Sequence, residues 1–227
     1  MKLASIFLLF NTFVFGIFLF RRIILNKGAL FISFIRLHFV LNRLKPRDVV
    51  IDCGANIGDI TLLFAKKNVS VFAFEPDPLA YKTLKKRTKG FPNIICLKKG
   101  VGIINKKVKM FFHRHRSHLN HEALSVSSTI IEEKRNINPE NYVEIDIIDL
   151  TEFIDSLDSQ VAMLKMDIEG AEIEILEKFI EQETYKKVDL LLVETHETKI
   201  PGHDEKVKRL KLLLAAKNIK NIKLNWI

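Results

Sequence analysis

Two glycines and a glutamate have the spacing of a site that binds a nucleoside. Gly54 and Gly58 follow the apolar run 49–51, and glycine permits tight turns and a close approach of the backbone to a ligand. Glu75 lies 21 residues after Gly54, at the end of the next strand-like run, where a carboxylate can accept two hydrogen bonds from a ribose diol. The spacing predicts a strand, a ligand-binding loop and a helix, in that order.

Two further positions discriminate between ligands. The dinucleotide fingerprint Gly-x-Gly-x-x-Gly requires a glycine two residues after the first, and this chain has Asn56 there. We expect Asp52 in the same loop, where its charge would repel a pyrophosphate and attract a cation. S-adenosylmethionine (SAM) carries a ribose, a sulfonium and an ammonium group but no phosphate. The pattern therefore favours SAM over a nicotinamide or flavin cofactor; for the glycines alone, an ordinary strand–helix turn is the alternative.

Four segments that occur in a fixed order resemble a known family. They are "VVIDCGANIGDIT", "FAFEPDP", "LKMDIEGAEIEIL" and "LLVETH". Together they resemble the FkbM-type methyltransferases, a branch of the class I SAM-dependent fold, over about residues 45–227. Known members of that family methylate hydroxyl oxygens, often on sugars or on polyketide-like natural products. The resemblance implies O-methyl transfer with SAM as the donor.

The resemblance also implies roles for particular residues. The residues expected around the cofactor are Asp52, Gly54, Asn56, Gly58, Glu75 and Asp77. The first four would frame the methionine part of SAM, and Glu75 would bind its ribose. The residues expected on the catalytic side are Asp167, which should face the transferred methyl group, then Glu169, and then Glu194 and His196 after the fifth strand.

Methyl transfer to an alcohol needs a group that accepts the hydroxyl proton. His196 is a candidate because the unperturbed pKa of histidine lies near neutrality, and Asp167 and Glu169 are rivals. A divalent metal on Asp167, Glu169 and Glu194 is a further alternative, but the sequence lacks the spacing of a dedicated metal site, so no metal is expected. Without the motif order, Glu169 and Glu172 would be ordinary first-turn acids facing a helix dipole and His196 a core histidine.

A basic segment is expected to cover the acceptor. Residues 113–130 contain four histidines together with Arg114 and Arg116. A zinc cluster is the alternative, but neither a cysteine nor a regular ligand spacing supports it. We expect a loop whose charge suits an anionic acceptor such as a lipid-linked sugar, with Ser127, Ser128 and Glu194 also on the acceptor side.

The N-terminal region predicts a membrane anchor. Residues 3–20 form a run of 18 residues without a charge, which as a helix would span about 27 Å, close to the thickness of a bilayer core. Arg21 and Arg22 follow at once, which places the rest of the chain in the cytoplasm. We expect a transmembrane or hydrophobic helix over 1–22 and an amphipathic helical segment over 23–44. A helical lid on a soluble core is the alternative for this whole region.

The remaining chain, 45–227, predicts one methyltransferase domain. Strand-like and helix-like patterns alternate from residue 48 onward, which predicts an α/β fold with a doubly wound, mostly parallel, Rossmann-like sheet and helices on both faces. The chain after residue 217 has room for barely one strand, so the last strand of the usual sheet is expected to be missing. The two cysteines are far apart and do not predict a disulfide scaffold.

Charge distribution argues against a nucleic-acid substrate. The net charge is +9, but residues 1–47 hold eight lysines and arginines and no acid, which leaves 48–227 at +1. We therefore expect a SAM-dependent O-methyltransferase acting on a hydroxyl of a glycan, glycolipid or related small molecule, and no nucleic-acid partner. The alternatives are a nucleic-acid methyltransferase and a catalytically silent, membrane-anchored SAM-fold binding module.

Overall fold

The computed structural model describes residues 37–113, 137–197 and 200–224. The chain divides into two compact units, Met1–Arg43 with Ile227, and Leu44–Trp226. In the first unit the described residues, 37–43, are helical. The apolar run 3–20 lies outside the described ranges, so the predicted anchor stays a prediction. Among the helices in those ranges, none combines the length and the apolar character needed to cross a membrane.

A six-stranded parallel sheet forms the centre of the second unit. Its strands, in spatial order, are β3 (Ile94–Leu97), β2 (Ser70–Phe74), β1 (Val49–Cys53), β7 (Val161–Met166), β8 (Leu191–Val193) and β9 (Ile222–Lys223). Every neighbouring pair is parallel. The central strands are apolar on both faces because helices cover both faces of such a sheet, and Val50, Ile51 and Leu164 are fully buried.

The connecting helices confirm the doubly wound architecture. They are α1 (Asp59–Ala65), α2 (Pro78–Thr88), α3 (Leu150–Asp155), α4 (Glu172–Glu181) and α5 (His203–Ala216). From β1 the chain winds outward through β2 to β3, and from β7 it winds the other way through β8 to β9. Because parallel crossovers are right-handed, the two directions place their helices on opposite faces of the sheet. The point of reversal lies between β1 and β7, where open α/β sheets bind their ligands.

A second, smaller sheet follows β3 in the chain. It contains β4 (Gly100–Gly102), β5 (Lys106–His113) and β6 (Ile137–Asp149) in the order β4-β6-β5. β5 and β6 are antiparallel. Their buried residues Met110, Ile145 and Ile147 form a small apolar cluster of their own.

Two details at the element ends differ from the sequence patterns. The pattern over 148–157 indicates a short helix with Thr151 as a candidate cap, but the N-cap of α3 is Asp149, whose carboxylate accepts hydrogen bonds from the backbone N–H groups of Thr151 and Glu152. An aspartate can cap in this way because its short side chain reaches back to the first turn. At the other end of the chain, β9 pairs with β8 in parallel and is an edge strand of the described sheet.

Candidate active site

The loop after β1 lies against the chain that leaves β7. Gly54 has φ +77°, and a Cβ built on it would lie 1.8 Å from the carbonyl oxygen of Asp167. The backbone N–H of Asp167 donates to the Cys53 carbonyl at 3.1 Å. Only glycine satisfies both the left-handed φ and the contact. Gly58, with φ +89°, is the N-cap of α1, so both predicted glycines occupy positions that need them.

Glu75 joins the two loops that were predicted to bind a nucleoside. One carboxylate oxygen accepts a hydrogen bond from the Asn56 N–H at 2.7 Å, and the other accepts one from the Asp77 N–H at 2.8 Å. Each oxygen keeps a further lone pair that a ligand hydroxyl can use. Burial raises the pKa of Glu75 to about 7, although the two backbone hydrogen bonds oppose the shift.

Asp77 has a structural role that its motif did not reveal. Its side chain accepts hydrogen bonds from the N–H groups of Leu79 and Ala80 at the start of α2, with Pro78 at the first helical position. The residue is 1% exposed. Its predicted place beside the cofactor therefore rests on its backbone N–H, which holds Glu75, rather than on a free carboxylate.

The structure corrects the expected position of Asp52. We expected it in the loop, facing a cationic ligand, but it lies within β1 and is 0% exposed. Thr61 Oγ1 donates to one carboxylate oxygen at 2.6 Å, and Lys165 Nζ lies 3.4 Å from the other. A carboxylate enclosed in this way supports the loop from beneath and does not meet a ligand directly.

Lys165 is a functional residue that sequence reasoning missed. Its ammonium donates to the Gly54 carbonyl at 2.8 Å and lies 3.7 Å from an Asp167 carboxylate oxygen. Burial lowers the pKa of Lys165, but the charges of Asp52 and Asp167 outweigh it and hold the pKa above the usual value. The sequence could have indicated this role, because a lysine inside an apolar strand of a parallel sheet must have buried partners.

An open cleft lies at the carboxyl ends of β1, β2 and β7. Its empty volume, including the part open to solvent, is about 700 Å³. Its polar lining includes Asn56, Glu75, Asp167 and Glu169. Its apolar lining includes four residues of the second sheet, which together are called the apolar wall: Val101, Met110, Ile145 and Ile147.

The donors and surfaces of this cleft fit SAM. Each carboxylate oxygen of Glu75 has a further acceptor position that a ribose hydroxyl could use, and the missing Cβ of Gly54 lets the loop backbone approach a ligand. The apolar wall suits an adenine ring. Lys99 also lines the cleft and is exposed at its rim.

His196 lies at the centre of a group of four carboxylates. Its Nε2 is 3.3 Å from Glu169 Oε2, 3.5 Å from Asp167 Oδ1 and 3.7 Å from Glu194 Oε1. Its Nδ1 is 3.1 Å from Glu172 Oε1. The predicted catalytic residues are therefore brought together, and the structure adds Glu172 to them.

Burial and charge act on His196 in opposite directions. Burial lowers its pKa. The hydrogen bond to Glu172 and the charges of Glu172, Glu169 and Asp167 raise it by more than burial lowers it, so the pKa lies above the usual value. Only 1% of the side chain is exposed. The site thus favours positive charge at the imidazole.

The backbone between β7 and α4 holds these groups in place. Glu169 has φ +64° and Gly170 has φ +133°, conformations that are costly for a non-glycine residue and concentrate at functional sites. The N–H of Ile168 donates to Glu172 Oε1 at 3.0 Å. Asp167, Glu169 and His196 each offer one ligand atom, and the three atoms lie within 4.8 Å of one another.

The predicted acceptor loop is only partly described. Glu194 takes its place beside His196. Arg114, Arg116, Ser127 and Ser128 lie outside the described residues, so their roles stay predictions.

Two solved structures align with this chain at low scores. An rRNA methylase from Streptococcus thermophilus aligns with 78% of this chain and 76% of its own at 10% identity and a TM-score of 0.43. A Streptococcus mutans protein solved in complex with SAH aligns with 86% of this chain and 85% of its own, again at 10% identity and a TM-score of 0.43.

Sequence similarity is more informative. Methyltransferase 1 of Beauveria bassiana (strain ARSEF 2860) is 24% identical in an alignment of 163 positions that covers 66% of this chain. The chain spans 65% of the length of that relative. The model of the methyltransferase FkbM domain matches residues 52–218, a range that begins in β1, ends just after α5 and contains both Glu75 and the carboxylates around His196. This chain belongs to the FkbM methyltransferase domain family.

Proposed function

We propose that the protein is a SAM-dependent O-methyltransferase that acts on a hydroxyl group of a glycan, glycolipid or related small molecule. The observation that carries the proposal is that Glu75 lies on the same cleft as Asp167 and Glu169, two of the carboxylates around His196. The cleft lies at the point where the strand order of the sheet reverses. A ribose-binding carboxylate and a cluster of proton acceptors are the two parts that methyl transfer to a hydroxyl requires.

The cofactor half of the cleft is preorganised by backbone hydrogen bonds. Glu75 would bind the ribose hydroxyls, and the loop of Gly54 and Asn56 would hold the methionine part. Lys165 and Asp52 fix that loop from below through the Gly54 carbonyl. When bound, SAM supplies an activated methyl group on its sulfonium.

The acceptor half suits a neutral hydroxyl. Asp167 and Glu194 are the more accessible members of the cluster, with 29% and 25% of their side chains exposed. Their oxygens can accept the hydrogen bond of an incoming hydroxyl and orient its oxygen, and positioning of this kind can contribute about 7–11 kcal/mol to a displacement reaction. The same negative charge would repel a phosphate placed at the reacting position.

The predicted anchor belongs to the same proposal. An uncharged run of 18 residues followed by two arginines supports attachment of the catalytic domain to the cytoplasmic face of a membrane. A lipid-linked or glycolipid acceptor would then lie close to the cleft.

Methyl incorporation tests the proposed reaction. The purified chain is incubated with a cell extract and methyl-labelled SAM, and the glycan, lipid and RNA fractions are analysed by mass spectrometry. We expect label in a hydroxyl-bearing glycan or lipid, and none above background with the Glu75→Ala variant. Label in RNA would instead support the competing function, a nucleic-acid methyltransferase.

A further inference from the structure

One buried imidazole nitrogen beside the cleft faces acceptors only. His196 Nε2 is buried and has no hydrogen-bond partner among the described residues. The groups nearest to it are carboxylate oxygens of Glu169, Asp167 and Glu194, at 3.3 to 3.7 Å. Such a convergence is electrostatically unfavourable unless positive charge lies among the groups, supplied by a protonated imidazole or by a cation bound between them.

Glu172 determines which nitrogen is free. Its Oε1 already accepts the N–H of Ile168 at 3.0 Å, so it is an acceptor toward His196 as well, and Nδ1 is the atom that carries the hydrogen. The lone pair of a neutral imidazole is then on Nε2, directed at Asp167 and Glu169. A carboxylate that fixes the far nitrogen of a histidine in this way is the usual partner of a metal-binding histidine.

The two distances from the imidazole to the carboxylates are close to those of ligands on one ion. Two ligand atoms bound at about 2.1 Å lie about 3.0–3.4 Å apart in octahedral or tetrahedral geometry. The distances from Nε2 to Glu169 Oε2 and to Asp167 Oδ1, 3.3 and 3.5 Å, are close to that range.

We propose that Asp167, Glu169 and His196 bind a divalent cation, with Glu172 as the residue that positions the histidine. Two carboxylates and one imidazole form a mixed set of oxygen and nitrogen ligands. Such a set suits Mn²⁺ or Zn²⁺ better than an ion that prefers oxygen ligands alone. Three protein ligands leave positions open on the ion.

The role of the ion, unlike its binding, rests on the proposed function. An acceptor hydroxyl on an open position would become more acidic. Its proton would pass to a carboxylate at the edge of the cluster, for which Glu194 is placed. The oxygen would keep the electron pair that forms the new C–O bond to the methyl group, while the C–S bond of the sulfonium breaks and the sulfur leaves as a neutral thioether.

Binding of Mn²⁺ tests the site without relying on activity. The full chain is freed of metal with EDTA, and free Mn²⁺ is measured by electron paramagnetic resonance during titration. We expect one saturable ion per chain, and at least about tenfold weaker binding in Asp167→Asn and Glu169→Gln. Glu177→Gln is the matched control, because it removes an exposed charge on α4 outside the cluster, and should bind like the unchanged chain.

The variants separate this site from other sources of metal binding. Metal bound by the histidines of 113–121 would still bind in Asp167→Asn and Glu169→Gln. Unchanged binding in both variants therefore overturns the proposal. The absence of saturable Mn²⁺ binding in the unchanged chain overturns it as well. Circular dichroism melting establishes that the variants are folded, and Glu172→Gln, which keeps the site's own ligands, supports the proposal if it also weakens binding. SAM binding is measured separately, in the presence of EDTA. A chain that binds SAM but not Mn²⁺ contradicts only the metal-site proposal. A chain that does not bind SAM contradicts the proposed function.

Discussion

At the scale of single residues, the chemistry of the cleft depends on buried charges that are held by specific partners. Glu75 has two backbone donors, Asp52 has Thr61 and Lys165, and His196 has Glu172. The sequence motif predicted the positions of Glu75 and His196. It could not predict the partners Lys165 and Glu172, because these contacts depend on which distant segments the sheet brings side by side.

The ionisation of Glu75 should control SAM affinity. With its pKa at about 7, the carboxylate is mostly ionised at pH 8 and mostly protonated at pH 6, and the ionised form is the better acceptor for ribose hydroxyls. We predict that the Kd for SAM rises about tenfold between pH 8 and pH 6, measured by isothermal titration calorimetry. Glu75→Gln should bind more weakly and without this dependence; an unchanged slope in that variant would assign the effect elsewhere.

The same ionisation should affect folding with the opposite sign. A carboxyl whose pKa is raised in the folded protein contributes stability that is present below its unfolded pKa and is lost as the pH rises to about 7. Part of the stability of the free protein is therefore given up at neutral pH to keep an ionised group at the ribose position.

Lys165 should be essential for the stability of the site. In Lys165→Met the Asp52 carboxylate stays buried without its counter-charge, which typically costs about 3–5 kcal/mol. We predict a loss of that size in the free energy of unfolding, measured in urea. The double variant Asp52→Asn with Lys165→Met should recover part of it, because no charge remains uncompensated; additive losses would show that the two groups do not interact.

At the scale of elements, the strands position the site, and the loops after them contribute most of its side chains. Most strands could be predicted, because parallel strands buried on both faces appear as apolar runs. The apolar wall of the cleft could not be, since it depends on how β5 and β6 pair and on where that small sheet lies relative to Glu75. The capping role of Asp77 was equally hidden, because the same aspartate fits both a motif and a helix start.

The crossing of the β1 loop and the chain after β7 should tolerate no side chain. Gly54→Ala would place a methyl group against the Asp167 carbonyl and would strain a left-handed backbone. We predict loss of SAM binding and a clear decrease in Tm, followed by calorimetry and circular dichroism. Gly90→Ala is the matched control, because a Cβ there meets nothing within 4 Å; equal effects in the two variants would contradict the close approach.

At the scale of the whole molecule, one reversal of the strand order explains where the site lies. Because the windings from β1 and from β7 diverge, a cleft opens between their carboxyl ends. The motif order predicted which residues meet there. The N-terminal anchor and the basic acceptor loop lie outside the described ranges and depend on the sequence pattern alone.

Vesicle flotation tests the proposed anchor. We predict that the full chain floats with liposomes at high salt, because an apolar run of this length holds a protein by burial rather than by charge. A chain that lacks residues 1–22 should stay at the bottom of the gradient. Flotation that is lost at high salt, or that persists without residues 1–22, would contradict an anchor at 3–20.

The most direct test of the account is a competition for the cleft between nucleoside cofactors. Calorimetric titration of the full chain with SAM should give one site per chain, abolished in Glu75→Ala, with no binding of NADH or FAD. Failure to bind SAM together with tight binding of NADH or FAD would contradict the assignment of the cleft to a methyl donor.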